Sequence, residues 1–340
     1  MKLQKSEIEE IKQCIEQHQI FAITTHANPD GDAVGSSLAL SALLRSLGKQ
    51  TCIIMPNDCP DFLKWLVGYD SILLFDKQPQ KASEFFHKAD VIFCLDYNDL
   101  ERIEEMGAVI NKTKKPLFLI DHHPCPICNA TYMVSETSAC STAELVYRII
   151  VDCGFESKIT KEIAEALYTG IITDTGGLVH NSTNPEVYQI IAKLLSAGID
   201  KDFIHEQIFN VFSFERLQLM GVVLKDNFVF FPEYNAAYMF ITCKNQKDFN
   251  FQLGDSEGLV NLPLSVKNIT FCALFTEYPN AVTKVSFRSK GSFPANVFAK
   301  EFFNGGGHLN AAGGRLPCSL QEAFAVFVKG LEAYKKMLVL

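Results

Sequence analysis

Apolar positions along this chain fall into two alternating textures. Ile8, Ile11 and Ile15, within Ser6 to His18, recur at spacings of three and four and predict a helix with one apolar stripe, suited to covering a sheet. Beyond it, short apolar runs alternate with amphipathic segments: Ile20 to Thr24 before Ala33 to Leu47, Thr51 to Met55 before Pro60 to Val67, Val91 to Leu95 before a short helix, then Pro116 to Ile120. Runs that are apolar throughout are what a parallel sheet covered on both faces requires. The expectation is an α/β domain, a parallel sheet with helices on both faces.

Ser141-Thr142-Ala143-Glu144 has the form of a capping box and predicts a helix from there to Cys153. Ala164 to Ile172 and Glu186 to Ala197 also read as helical. From about Gly198 to Asp226 the chain looks like a helical connector, and beyond it the texture changes to alternating, aromatic-rich strands such as Ala236 to Cys243 and Val282 to Arg288. Three segments are therefore expected: a first domain over 1–197, a connector over 198–226 and a smaller α/β domain over 227–340. The last contains a helix at Ala295 to Phe303, the run Gly305-Gly306-Gly307-His308, a strand near Gly314 to Leu316 and a final amphipathic helix from Ser319.

Composition narrows the classes. The chain has 340 residues, 48% of them hydrophobic and 21% charged, with 27 Phe to fill interiors, which excludes a disordered chain. No run approaches the roughly 18 apolar residues of a membrane span. The amino-terminal residues lack the apolar core of a signal peptide, and the expected location is the cytoplasm. A net charge of −8 argues against a broad basic surface gripping long nucleic acid, while leaving room for a small phosphorylated ligand. Eleven cysteines, an odd number scattered through predicted strands and helices, read as reduced thiols. Cys125 and Cys128 form one Cys-x-x-Cys pair without a second pair, too little for a structural zinc site.

The chemistry concentrates at the ends of the apolar runs. His26-Ala27-Asn28-Pro29-Asp30-Gly31-Asp32 follows the first strand and leads into a helix, where open α/β sheets place their ligands. Val91 to Leu95 ends in Asp96, Leu117 to Ile120 ends in Asp121-His122-His123, and Gly170 to Thr173 ends in Asp174, expected at an equivalent strand end. Solvated turns would explain any one of these, but repetition points to a shared crevice. His26, Asp30, Asp32, Asp96, His122 and Asp174 are too many ligands for one catalytic ion, and two ions sharing a bridging Asp fit better. Mixed imidazole and carboxylate donors suit Mn²⁺ or a related transition ion better than all-oxygen Mg²⁺ or thiolate-bound Zn²⁺. Two divalent ions suit phosphoester hydrolysis. His123 is the candidate for a phosphate contact, and Asp121 for orienting a neighbouring imidazole. Consecutive glycine amides at Gly305, Gly306 and Gly307 can form an anion nest, with His308 and Arg288 adding side-chain donors. Lys290 and Arg315 read as surface charges.

With the Asp121-His122-His123 triplet beside His26-x-x-x-Asp30-x-Asp32, Asp96 and Asp174, and with Gly305 to Gly314 near the carboxyl end, the chain resembles the DHH phosphoesterase superfamily and its associated C-terminal domain. In length it most resembles the nanoRNase/pAp phosphatase branch. The resemblance implies a site of two Mn²⁺, with Mg²⁺ or Co²⁺ as substitutes: one ion on His26, Asp30 and Asp96, the other on Asp32, Asp96, His122 and Asp174, and Asp96 bridging. It implies catalytic roles for Asp96, His122 and His123, and substrate contacts from His123, Arg288, Gly305, Gly306, Gly307 and His308, with the substrate held between the domains.

The implied substrates are short oligoribonucleotides and dinucleotides, cleaved to nucleoside monophosphates, or 3′-phosphoadenosine 5′-phosphate (pAp), cleaved to AMP. Long duplexes and membranes are not expected partners, and a homodimer is among the implied assemblies. The rivals are a polyphosphatase or pyrophosphatase, a cyclic or linear dinucleotide phosphodiesterase and a non-catalytic nucleotide-binding regulator. Two features depart from the family pattern. Gly177-Leu178-Val179-His180-Asn181 stands where relatives often carry an aromatic and a basic residue, and the Cys125 to Cys128 insertion has no counterpart in it.

Overall fold

A computed structural model describes residues 3–124, 126, 130–252 and 254–339. Cys125 and Cys128 lie outside the described residues. The chain divides into two compact units, one ending at Val211 and one beginning at Phe212.

The first unit is built on strands β1 (Ile20–Thr24), β2 (Gln50–Met55), β3 (Leu73–Leu74), β4 (Val91–Leu95), β5 (Leu117–Asp121) and β6 (Tyr132–Ser135). They form one sheet in the order β3-β2-β1-β4-β5-β6, and every pairing is parallel. Its helices are α1 (Lys5–Gln17), α2 (Gly31–Ser46), α3 (Pro79–Lys88), α4 (Glu105–Thr113), α5 (Thr142–Asp152), α6 (Lys161–Asp174), α7 (Pro185–Ser196) and α8 (Lys201–Phe209). The uninterrupted apolar runs have a direct cause, because successive strand residues feed opposite cores. Phe21, Ile23, Phe93, Leu95, Phe118 and Ile120 pack with residues of α2, α5 and α6, whereas Ala22, Ile92, Cys94 and Leu119 pack with residues of α3 and α4. Order reverses between β1 and β4, so the carboxyl ends of the central strands open a crevice there.

Two expectations in this unit are corrected. Gly170 to Thr173 is no strand but the last turn of α6, as the helical reading of Ala164 to Ile172 has it, so Asp174 ends a helix. A short apolar run looks alike in a buried strand and a buried helix, and here the helix is buried because α6 lies close against α2. A Cβ on Gly35 would stand 2.3 Å from the Ala166 carbonyl oxygen, and one on Gly170 would stand 2.9 Å from Asp32 Oδ1. Pro60 to Val67, expected as a helix, contains only a single 3-10 turn at Asp61–Leu63. Between Pro60 and Gly68, whose φ is 95°, too few residues remain to offset the cost of nucleating an α-helix.

The second unit holds helix α9 (Phe214–Lys225), strands β7 (Phe228–Phe231) and β8 (Ala236–Ile241), the short helix α10 (Cys243–Asp248), strands β9 (Phe271–Tyr278) and β10 (Val282–Ser289), helix α11 (Ala295–Phe303), strands β11 (Gly306–His308) and β12 (Ala311–Leu316), and helix α12 (Leu320–Leu338). The sheet runs β11-β12-β10-β9-β8-β7, antiparallel except where β8 pairs with β9. One face packs Phe271, Phe275 and Phe287 against Phe298, Phe303 and Phe327 of α11 and α12. On the other, Ala237, Met239, Cys272 and Leu274 pack against Leu219 and Val223 of α9. The Gly198 to Asp226 stretch thus holds two helices, with Ile204 and Ile208 in the first unit's core and Leu219 and Val223 in the second's. Among the described residues no helix is long and apolar enough to cross a membrane.

Gly35→Ala tests the α2 and α6 contact. An alanine in a helix interior ordinarily gains up to about 1 kcal/mol over glycine. Here the new methyl meets backbone, and a net loss of about 1–3 kcal/mol is expected. Urea unfolding followed by circular dichroism measures it, and a midpoint that rises would show the helices are not clamped at Gly35.

Candidate metal centre

Eight of the residues singled out in the sequence, His26, Asp30, Asp32, Asp96, Asp121, His122, His123 and Asp174, meet at the crevice. Asp30 is the N-cap of α2, where its Oδ1 accepts from the backbone N–H groups of Asp32 (3.0 Å) and Ala33 (3.1 Å). Oδ2 remains directed at His26. Asp32 lies in the first turn of α2 and is 1% exposed. Asp96 directly follows β4 with φ 63°, a left-handed conformation that Asp tolerates better than most residues. Asp121 ends β5, and His122 and His123 follow it. Asp174 arrives from the far side as the last residue of α6.

These side chains form interlocking groups whose ligand atoms all lie within 4.8 Å of one another: His26, Asp30 and Asp96; Asp32, His122 and Asp174; and Asp96, Asp121 and His123. His26 Nε2 is 3.4 Å from Asp96 Oδ2 and 3.9 Å from Asp30 Oδ2. His122 Nε2 is 3.5 Å from Asp96 Oδ1, 3.9 Å from Asp32 Oδ2 and 3.7 Å from Asp174 Oδ2. Asp96 therefore turns one oxygen to each imidazole. Donors about 2.0–2.2 Å from a common ion stand roughly 3–4 Å apart, so these separations suit shared cations.

The imidazole tautomers agree with that use. His26 Nδ1 lies 2.9 Å from the Ala27 carbonyl oxygen and His122 Nδ1 lies 3.3 Å from that of Ala139. A carbonyl can only accept, so Nδ1 carries a proton in each ring and Nε2 is the nitrogen that faces the carboxylates, donating to them while protonated and offering its lone pair to a cation once that proton leaves. His123 differs: its Nδ1 donates to Asp121 Oδ1 at 2.7 Å, and its backbone N–H donates to Asp121 Oδ2 at 3.1 Å. Asp121 thus orients His123.

Charge crowding shifts the protonation of the cluster. Burial, and then the charges of Asp96 and Asp174, raise the Asp32 carboxyl well above the usual carboxylate range, against the favourable charge of His122. Asp96 moves the other way. Burial opposes its ionisation, but the hydrogen bond from His26 and the charges of His123, His26 and His122 outweigh it and hold Asp96 below the usual range. Burial also disfavours charge on His26 and His122, yet the surrounding carboxylates raise both.

Two supporting residues escape a reading of the sequence. Thr142, first residue of α5, donates from its backbone N–H to Asp32 Oδ2 at 2.6 Å and from Oγ1 to Asp96 Oδ1 at 3.0 Å, while the Ala143 N–H donates to Asp32 Oδ1 at 2.8 Å. The capping box announces that helix start without showing what it faces. Asn57 follows β2; its Oδ1 accepts from the Asn28 N–H at 2.7 Å and its Nδ2 donates to Asn28 Oδ1 at 3.0 Å. With the Ala27 N–H donating to the Arg102 carbonyl at 2.8 Å, Asn57 pins the segment between His26 and Asp30. The only signal for it is Pro56-Asn57 at the end of an apolar run.

The remaining predicted residues belong to other elements. His180 is exposed in the turn after α6, with Cδ2 3.3 Å from where a Gly176 Cβ would stand. In the second unit, Arg288 lies on β10 and donates from its guanidinium to the Phe287 carbonyl at 2.9 Å. Gly306 to His308 form the short edge strand β11 in register with Ala311 to Gly313, and the Gly305 N–H donates to the Ala299 carbonyl at 3.1 Å, so the run is not the nest of consecutive free amides expected from the sequence. Gly305, just before β11, and Gly307 within it have a steric reason, since a Cβ on Gly305 would stand 1.9 Å from the Gly313 carbonyl oxygen and Gly307 has φ 137°.

Asn57→Ala is expected to weaken Mn²⁺ binding about tenfold, the lower end of the loss on removing supporting hydrogen bonds. Calorimetric titration of the metal-free chain measures it. An unchanged affinity would mean that the Arg102 carbonyl alone holds the loop.

A model of the DHH family, N-terminal domain, matches residues 20–171 of this chain, and a model of the DHHA1 domain matches residues 233–336. The bifunctional oligoribonuclease and PAP phosphatase NrnA of Thermus thermophilus is 32% identical over 298 residues, 86% of this chain and 83% of its own. The protein of the same name from Bacillus subtilis is 27% identical over 310 residues, 89% of this chain and 91% of its own. Among solved structures, an exopolyphosphatase-related protein from Bacteroides fragilis matches with a TM-score of 0.94 at 44% identity, over 99% of both chains. RecJ of Thermus thermophilus, at 13% identity and a TM-score of 0.56 over 98% of this chain and 54% of its own, shares the fold. The acidic and imidazole cluster at the switch point, the order of the two matched domains and the relatives agree: the chain belongs to the DHH family of metal-dependent phosphoesterases, with a DHHA1 domain following its catalytic one.

Proposed function

We propose that this chain hydrolyses short oligoribonucleotides to nucleoside monophosphates and removes phosphate from pAp by the same displacement. The observation that carries the reading is the division of Asp96, whose two oxygens face two separate groups of donors. The names of the Thermus thermophilus and Bacillus subtilis relatives supply the substrate class. In this reading His26, Asp30 and Asp96 hold one divalent ion and Asp32, Asp96, His122 and Asp174 hold a second, with Asp96 shared. The mixed nitrogen and oxygen donors favour Mn²⁺. When bound, such a pair supplies charge neutralisation and activation of water at neutral pH.

The chain's own groups do the rest. Thr142 and the α5 amides orient Asp32 and Asp96, and the Nδ1 hydrogen bonds of His26 and His122 keep both Nε2 atoms available. His123, its ring fixed by the Nδ1 hydrogen bond to Asp121, presents Nε2 to a phosphate oxygen of the substrate. Arg288 and His308 hold a second part of the substrate beside the glycine run Gly305 to Gly307, whose missing side chains leave it room, the guanidinium offering a planar fork to phosphate. A second reading, hydrolysis of inorganic polyphosphate, is favoured by the name of the Bacteroides fragilis protein.

Incubation with Mn²⁺ and labelled RNAs of two to about twenty-four nucleotides, pAp, cyclic dinucleotides, pyrophosphate and polyphosphate separates the readings. Mononucleotide release from the shortest RNAs is expected; turnover of polyphosphate alone would overturn the proposal. Asp96→Asn keeps the backbone conformation and is expected to lose nearly all turnover while unfolding cooperatively. Near-normal rates would remove Asp96 from the centre of the mechanism. Arg288→Ala is expected to raise KM by the equivalent of about 1.5–3 kcal/mol, the scale of a hydrogen bond to a charged group. Unchanged KM and kcat would take Arg288 out of the site.

A further inference from the structure

The second unit's sheet has one face only half covered. On β10, Thr283, Val285 and Phe287 point into the interior, which sends Lys284, Ser286 and Arg288 to the opposite face by the two-residue period of a strand. Helix α9 covers that face over β7 and β8, and the 3-10 segment Leu259–Ser265 continues the cover over β9 and onto the near side of β10, through Leu259 and Val260 against Cys272 and Leu274. Over β10, β12 and β11 the face carries three cross-strand rows. Arg288 stands opposite Ala311, which pairs with His308; Ser286 stands opposite Gly313, which pairs with Gly306; and Lys284 stands opposite Arg315. The middle row is nearly bare, because it offers one serine and two glycines, and a Cβ on Gly306 would meet nothing within 4 Å.

The third row is the anomaly. Lys284 and Arg315 are exposed cations directly opposite each other, and like charges in that relation oppose sheet pairing. Loss of hydration, and then the Arg315 charge, lower the Lys284 ammonium from its ordinary range against the attraction of Glu257. The Arg315 guanidinium is also drawn toward the Tyr278 ring, 6.0 Å from its centroid. In a chain whose net charge is −8, two cations held together at one end of a glycine-floored strip are where an anion would relieve the most repulsion.

Lys284 and Arg288 are four residues apart on one strand, about 13 Å at the rise of an extended chain. That is more than the sugar and phosphate of one nucleotide span, so the two ends of the strip match phosphates that are not adjacent. We propose that Lys284 and Arg315 form a further anion subsite that takes an internucleotide phosphate, beyond the one held at Arg288, in oligoribonucleotides longer than two residues. This rests on the reading of short RNA as substrate. Arg315, which reads as a surface charge from the sequence, thereby sets length preference, the bare middle row giving the intervening sugar room to cross.

The test compares wild type with K284A/R315A as full-length chains on labelled di-, tri-, tetra- and pentaribonucleotides and on pAp with Mn²⁺. It also measures anisotropy of a labelled tetranucleotide in EDTA, which reads binding without turnover. The variant is expected to bind the tetranucleotide about tenfold more weakly, the scale of one charge-assisted contact. KM should rise to match for the longer RNAs, kcat should hold, and dinucleotide and pAp kinetics should be unchanged. The dependence of tetranucleotide binding on salt should become shallower by roughly one to two ions. K284R/R315K, which keeps both charges, should restore binding. Equal losses on dinucleotide and tetranucleotide, or none on either, would overturn the subsite while leaving the substrate reading intact. A wild-type chain that cleaves no RNA of any length would remove the substrate reading and the subsite with it.

Discussion

Crowded negative charge is the constraint around which the first unit is organised. Asp32, Asp96 and Asp121 are almost fully buried, with Asp30 and Asp174 at the rim. Like charges withdrawn from water destabilise a fold unless opposite charge is supplied. Here it comes from three directions. The amides at the start of α2 serve Asp30, those at the start of α5 serve Asp32, and His26, His122 and His123 surround Asp96. Helix N-termini suit this work because their unpaired N–H groups and partial positive charge are fixed by the backbone. What they leave unbalanced is suited to divalent cations.

Because those compensating groups sit on packed helices, the metal-facing geometry is largely a property of the core. Helices α2 and α6 approach at Gly35 and Gly170 closely enough that Asp32 and Asp174 face the same imidazole. The exception is the segment from His26 to Asp30, which lies outside regular structure and relies on the Asn57 side chain and the Arg102 carbonyl. Core packing and loop pinning thus share one site. Damage to either is expected to move the ligands without touching them.

Much of this was legible in the chain. Strands buried on both faces write themselves as unbroken apolar runs, and β1, β4 and β5 could be placed with the polar residues at their ends. Asp174 was placed at the crevice as a strand end, but the helical reading of Ala164 to Ile172 is the one that holds, and Asp174 is the last residue of that helix. Thr142 and Asn57 could not be found because their importance lies in contacts with Asp32, Asp96 and Asn28, all distant in sequence except for the helix start itself. In the second unit the glycine run reads as a loop until pairing with β12 is known, and only that register sets Lys284 beside Arg315.

The backbone at Asp96 has an evolutionary consequence. At φ 63° the residues that sit without much strain are glycine, asparagine and aspartate. A lineage that gave up hydrolysis but retained its architecture would therefore be channelled toward asparagine or glycine there. Alanine, leucine or a branched residue at that place would instead mark a descendant whose crevice had been rebuilt.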